Sequence, residues 1–425
     1  MKFAFYCNYN KEFNERIETL EEGNIGIGGT QYLFMLVVSN LQKKYGSSTN
    51  KYILLTNQKL NVSYNVLEYE QVKDIKEAYK WCEENEYDYL IIRANDIISF
   101  QREEIKKSKV KFILWAHNYI GKRTEKITFL EKNIVKLICV SKQQYINMKT
   151  SIAYKKMTYI NSCIGSYVDN KKEDKPIKNT NKIYYIGAIE PEKGVHNVIE
   201  IFSKIYKKKN NVKLILIGGL GSLRAKNITL GKLQLSYPKY EEKLLELIEK
   251  NNIKDKVEFL GVLDNREIKE IISKNPGIGL LSVSRPLMGE TFCMTALELE
   301  SYGMPVVARD RKDGLRTSIK NQKTGFLEKT DKKIAKRIIE IINDNKRYED
   351  MSHNAIEYAK QFSITNIVDR WNKILLEINE VDEEFKENII YKLKTKLKFN
   401  FNTFREMLLR IQSKILFEKY KKWKR

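Results

Sequence analysis

Histidine and cysteine are scarce in this chain of 425 residues: three of the first and five of the second. The cysteines (Cys7, Cys82, Cys139, Cys163 and Cys293) are scattered, with no Cys-x-x-Cys pair. That excludes a disulfide framework or a cysteine-based zinc site and leaves reduced core thiols. Three histidines leave few candidates for a His-based metal site, and no Asp-x-Asp pair stands in for one. No run approaches the roughly 20 apolar residues of a membrane span. The N-terminus, Met1-Lys-Phe-Ala-Phe-Tyr, goes directly into a strand-like segment with no apolar stretch before a small-residue cleavage site. The expectation is a cytoplasmic protein without a bound metal.

What is present in excess is positive charge: 77 Lys and Arg against 54 Asp and Glu, a net +23. Such a balance attracts nucleotides, acidic lipid or nucleic acid. It also follows from A/T-rich codons, because Lys far outnumbers Arg, and Asn, Ile and Tyr are plentiful. The bulk of the charge is assigned to that bias. No recognition motif supports a nucleic-acid partner.

The first part of the chain alternates apolar runs with amphipathic stretches. Lys2–Cys7, Tyr52–Leu55, Tyr89–Ile92, Lys111–Trp115 and Leu137–Val140 read as strands. Thr30–Lys44, Val72–Glu84 and Gln101–Lys107 read as helices, which implies a parallel α/β sheet. A polar stretch at 169–182 interrupts this rhythm and reads as an interdomain linker. Strands and helices then resume, giving an expected second sheet. The organisation is therefore a first domain at 1–168, a second at 183–362, a helix at 363–384 crossing back to the first, and a tail at 385–425. Two such sheets leave a cleft, and ligands of these folds bind where strands end.

Glu290 and Glu298 carry the strongest local signal. They frame Glu290-Thr-Phe-Cys-Met-Thr-Ala-Leu-Glu298, which runs on to Gly303, Pro305, Val306 and Val307. The spacing predicts a helix over Glu290–Tyr302, with Glu290 opening it and Glu298 two turns along. Helix N–H groups suit a phosphate, and carboxylates accept from hydroxyls. Lys193, in Gly187-Ala-Ile-Glu-Pro-Glu-Lys193-Gly194, precedes another helix start, suited to a diphosphate or to solvent. Gly28 and Gly29 open the first long helix, where glycines permit positive φ and close backbone approach, or simply an ordinary tight turn. His117 follows the strand Phe112–Ala116 and reads as a cleft residue or a capped loop histidine. Arg285, five residues before Glu290, reads as a phosphate ligand or a surface arginine.

Together these motifs resemble the retaining glycosyltransferases of family 4, over about residues 1–380. The resemblance is strongest at Gly187–Gly194, Leu214–Gly219, Phe259-Leu-Gly261, Glu290–Val307 and Thr324-Gly325-Phe326. It implies the GT-B fold, in which two Rossmann-like domains face a cleft. It implies a catalytic set of Glu290 on the donor sugar's hydroxyls, His117 near the reacting sugar and Lys193 on the phosphates. Glu298 would hold the ribose, and the backbone N–H groups of Thr291, Phe292 and Cys293 would meet the phosphates. Gly28 and Gly29 would face the diphosphate, and the base would pack on Val262 and Leu263. The donor is a nucleoside-diphosphate sugar, a substrate rather than a cofactor, and no metal takes part. The acceptor would be a glycan or a lipid-linked saccharide, as in bacterial polysaccharide and lipopolysaccharide assembly.

Two departures stand out. Ala188 replaces the arginine that many members carry after the glycine, and Arg285 is the candidate substitute. Cys293 stands where glycine is common. A sugar-nucleotide epimerase of the same fold and a non-catalytic glycosyltransferase-like subunit remain competing readings. Residues 385–425 carry Leu393, Leu397, Phe401, Phe404, Leu408, Ile411 and Ile415 at helical spacing, with basic residues between. That stripe suits an anionic membrane surface on the inner face of the cell membrane, or packing on the protein's own body or a second copy in a homo-oligomer.

Overall fold

In a computed structural model of the chain, residues 1–380 are described apart from 10–16, 19, 25–26, 63–64, 170–180, 220–237 and 283–288. Arg285, most of the expected linker and the whole of 385–425 lie outside the described residues. The chain forms two compact units. One comprises Met1–Tyr167 and the return from Phe362, and the other Val168–Gln361.

The first unit is built on β1 (Lys2–Cys7), β2 (Lys51–Thr56), β3 (Tyr69–Gln71), β4 (Tyr89–Arg93), β5 (Lys111–Ala116), β6 (Ile134–Cys139) and β7 (Met157–Tyr159). Their order is β3-β2-β1-β4-β5-β6-β7, and every pair is parallel. Phe3 to Cys7 and Phe112 to Ala116 are buried without interruption. Sheets covered on both faces need such continuous apolar runs, and those runs made these strands legible. β3 and β7 are three residues each at the two edges of the sheet and carry no such run.

The second unit contains β8 (Lys182–Ile186), β9 (Lys213–Ile217), β10 (Val257–Gly261), β11 (Ile278–Leu281), β12 (Val306–Arg309) and β13 (Gly325–Glu328). Their order is β10-β9-β8-β11-β12-β13, again all parallel. Both sheets thus follow the doubly wound pattern, which reverses direction beside its first strand. The reversal points, between β1 and β4 and between β8 and β11, are where connecting loops part and ligands fit.

The helix Ile364–Leu376 belongs to the first unit. Ser363 starts it, its Oγ accepting from the Thr365 N–H at 3.3 Å. Its face of Ile367, Val368, Trp371 and Ile374 is buried. The Trp371 ring lies 4.5 Å from Trp115 and 5.9 Å from Phe5, edge-on in both cases. Lys44 and Tyr45, ending the helix Gly29–Tyr45, both bond Asp369, at 2.5 and 2.6 Å. The chain's return is therefore stitched to the strand core and to the first long helix. Among the described residues no helix is long and apolar enough to cross a membrane.

Candidate functional site

In the second unit, three adjacent strands end in glycines of positive φ: Gly187 at 151°, Gly218 at 142° and Gly261 at 73°. They stack closely. Gly218 donates to the Gly261 carbonyl at 2.7 Å, and a Cβ on Gly218 would fall 1.9 Å from the Gly187 carbonyl oxygen. Only glycine fits at Gly218, so backbone packs directly on backbone where β8 and β9 end. Val262 and Leu263 follow β10 at this edge, each half-buried.

Lys193 closes the turn Pro191–Lys193 after β8, and Gly194, at φ 75°, passes the chain into the helix Val195–Tyr206. Glu290 comes after β11, on the other side of the reversal point. The sheet order brings these residues, 97 apart in sequence, together: Lys193 Nζ donates to Glu290 Oε1 at 2.8 Å. Lys193 is therefore paired with a carboxylate while its side chain stays 36% exposed.

The helix expected over Glu290–Tyr302 is shorter, Met294–Ser301, with Cys293 preceding it. Glu290 is therefore held in a loop by contacts from elsewhere. Its N–H donates to Asp313 Oδ2 at 2.9 Å, and its carbonyl accepts from the Gly314 N–H at 2.6 Å. Gly289 has φ 55°, and a Cβ on it would fall 2.6 Å from the Asp313 Cβ, so this loop is also glycine-dependent. The Cys293 N–H donates to Ser318 Oγ at 3.1 Å. Against the expectation that it meets a phosphate, the Cys293 N–H is thus committed to the protein interior. Burial also pushes the Cys293 thiol far above its ordinary range, with Glu290 adding to the effect, so it is a packed, inert group.

Glu298 sits in the second turn of the helix Met294–Ser301. Its carboxylate makes no hydrogen bond to any described residue, and burial pushes its pKa up to about 7. The residue is half-buried, so a donor from solvent or from a ligand can reach its carboxylate. The next acidic residue, Glu300, is fully buried, and its Oε1 accepts from Thr324 Oγ1 at 2.6 Å. Burial raises its pKa well above the usual carboxylate range, with the Thr324 hydrogen bond opposing. Glu300 belongs to the core beneath the site.

In the first unit His117 follows β5. Its ring lies 4.3 Å from Trp115 and 5.6 Å from Phe34. Burial, and then the charge of Arg93, lower its pKa to about 3, so it is a neutral imidazole at physiological pH. Arg93 is the last residue of β4, the reversal strand, and its Nε bonds Asp96 at 2.7 Å. Gly28 precedes the helix Gly29–Tyr45 with φ −57°, so positive φ is not why glycine stands there. A Cβ on Gly28 would fall 2.3 Å from Gln31 Oε1, whereas one on Gly29 would meet nothing within 4 Å.

Sequence reasoning missed Asp313. The Asp313-Gly314 pair signals a turn, but nothing in the chain's order says that this turn grips Glu290. In the fold, the His196 N–H and Nδ1 both meet the buried Tyr240 hydroxyl, at 3.2 and 2.9 Å, which fixes the helix start beside Lys193.

Residues 168–361 match the model of the family described as glycosyl transferases group 1. An uncharacterized glycosyltransferase of Haemophilus influenzae is 23% identical over 372 residues, 83% of this chain and 98% of that protein. The capsular polysaccharide biosynthesis glycosyltransferase CapM of Staphylococcus aureus is 28% identical over 195 residues, 44% of each chain. Among solved structures, Anabaena HepE in complex with UDP and glucose superposes with a TM-score of 0.64 at 15% identity, covering 89% of this chain and all of that one. The lipopolysaccharide outer core galactosyltransferase WaaB superposes with a TM-score of 0.61 at 17% identity, covering 89% and 99%. The chain therefore has the GT-B fold, and the match to the group 1 glycosyl transferase model lies in its second unit.

Proposed function

We propose that this protein transfers a sugar from a nucleoside-diphosphate sugar to an acceptor hydroxyl, with retention at the anomeric carbon and without a metal. The observation that carries this reading is the Lys193–Glu290 pair at the reversal point of the second sheet. It sets a cation for the leaving diphosphate beside a carboxylate for the sugar's hydroxyls. The unpartnered Glu298 carboxylate nearby is suited to a ribose. Solved relatives of this fold hold UDP and glucose, which supports the donor class.

The main electrostatic task is to stabilise the charge that grows on the leaving nucleoside diphosphate. Lys193, the backbone N–H groups of Thr291 and Phe292, and Arg285 carry that task in this proposal. Arg285 makes up for the missing cation at Ala188. Glu290 orients the sugar, and the departing phosphate takes the acceptor's proton in a front-face displacement. His117, being neutral, contributes a hydrogen bond near the reacting sugar rather than a charge. Gly28 and Gly29 leave room for the diphosphate. The setting is bacterial cell-surface glycan assembly, in line with the CapM and WaaB likenesses, and residues 385–425 attach the protein to anionic membrane.

The test is release of free nucleoside diphosphate from a donor panel, with and without a lipid-linked acceptor extract. Acceptor-dependent release is expected, and NMR of the product should show the donor's anomeric configuration kept. No release with any donor defeats the proposal. If Arg285→Ala leaves turnover unchanged while Lys193→Ala abolishes it, Arg285 has no such role. Cosedimentation with anionic liposomes, comparing the full chain with one cut near Glu384, tests the tail.

A further inference from the structure

We infer that Asp313 is a positioning residue for the transfer, setting where Glu290 stands relative to Lys193. This rests on the transferase reading above. Asp313 is 2% exposed. Its Oδ2 accepts the Glu290 N–H at 2.9 Å, and its Oδ1 accepts the Leu315 N–H at 3.2 Å. The neighbouring Gly314 N–H donates to the Glu290 carbonyl at 2.6 Å. Consecutive residues thus hold both peptide groups of Glu290, which is not held by any helix of its own.

The grip is tight and rigidly mounted. A Cβ on Gly314 would fall 2.3 Å from the Thr291 carbonyl oxygen and 2.6 Å from the Phe292 nitrogen. The turn carrying Asp313 is itself fixed. Arg316 makes a bidentate pair with Asp310, at 2.9 and 2.7 Å. The Tyr358 hydroxyl donates to the Thr317 carbonyl at 2.8 Å. Paired donors and acceptors in fixed geometry restrict a loop more than a single bond does.

Alanine at 313 would leave the Glu290 and Leu315 N–H groups without an acceptor. Misplacing a positioned group by about 1 Å is enough to cost about 100-fold in rate.

The experiment uses the full chain with the donor selected by the panel. Asp313→Ala should lower kcat at least 30-fold while donor KM and the Kd of free nucleoside diphosphate stay within threefold of wild type. Asp313→Asn should fall between the two, because its carbonyl oxygen can still accept the Glu290 N–H. A merely structural role would weaken nucleotide binding and turnover together, and that result overturns the inference. So does a kcat within threefold of wild type in Asp313→Ala or, should that variant fail to fold, in Asp313→Asn. Absence of wild-type turnover with every donor sinks the underlying transferase reading instead.

Discussion

Replacing Glu290 by glutamine should slow turnover yet tighten the binding of free nucleoside diphosphate. Glu290 engages Lys193, the cation a diphosphate would use, at 2.8 Å. A diphosphate must therefore draw Lys193 away and also tolerate the neighbouring carboxylate. The side chains are 36% and 19% exposed, so solvent screens the pair. It is worth about 1 kcal/mol rather than the several of a dry pair. Glu290→Gln removes that competition, and Kd for the nucleoside diphosphate should fall about fivefold. Turnover should move the opposite way. Losing a charged acceptor on a sugar hydroxyl costs about 2 kcal/mol in the transition state, or roughly 30-fold in kcat. Calorimetry with the nucleoside diphosphate and initial rates with the matching donor give the two numbers. Unchanged or weaker nucleotide binding in Glu290→Gln would refute the competition. Unchanged turnover would remove Glu290 from the sugar site.

Glu298 makes nucleotide affinity pH-dependent: with a carboxyl pKa of about 7, its deprotonated form is the stronger acceptor for ribose hydroxyls. Binding lowers that pKa, so affinity is full above pH 7 and declines below it, approaching tenfold per unit. Calorimetry from pH 5.5 to 8.5 should show this slope in wild type, beyond any slope that Glu298→Gln retains; equal slopes would refute it. Glu300, with its folded pKa raised by burial, adds stability that is fully present below the unfolded carboxyl range near pH 4.5 and lost as pH rises. The wild-type Tm should therefore fall more steeply from pH 5 to pH 8 than that of Glu300→Gln, and parallel curves would show that Glu300 is charged in the fold. Trp371→Ala should destabilise the first unit by about 3–5 kcal/mol in urea unfolding, because Trp371 is 1% exposed between Trp115 and Phe5. A loss under 1 kcal/mol would mean that the returning helix is not part of that core.

Much of the fold was legible because buried parallel strands must be apolar throughout. Runs such as Phe3–Cys7 and Lys213–Ile217 announce themselves by composition. The edge strands β3 and β7 did not, since an edge position asks less of its residues. The start of the helix at Met294 was also misjudged. An eight-residue spacing of carboxylates fits a helix, but Gly289 and the Asp313 turn hold the first of them in a loop.

The order of residues along the chain determined which groups could take part: carboxylates at 290 and 298, a lysine at 193, and glycines at the ends of strands. It also carried the match of residues 168–361 to the group 1 glycosyl transferase model. The partnerships were decided only by the tertiary structure. Lys193 meets Glu290 because the sheet reverses its winding between β8 and β11 and brings two distant loops to one edge. Asp313 grips Glu290 because β12 lies beside β11 and delivers its following turn there. The pKa values of Glu298, Glu300 and His117 likewise follow from what surrounds them in space. Desolvation acts through three-dimensional burial, which no linear spacing records.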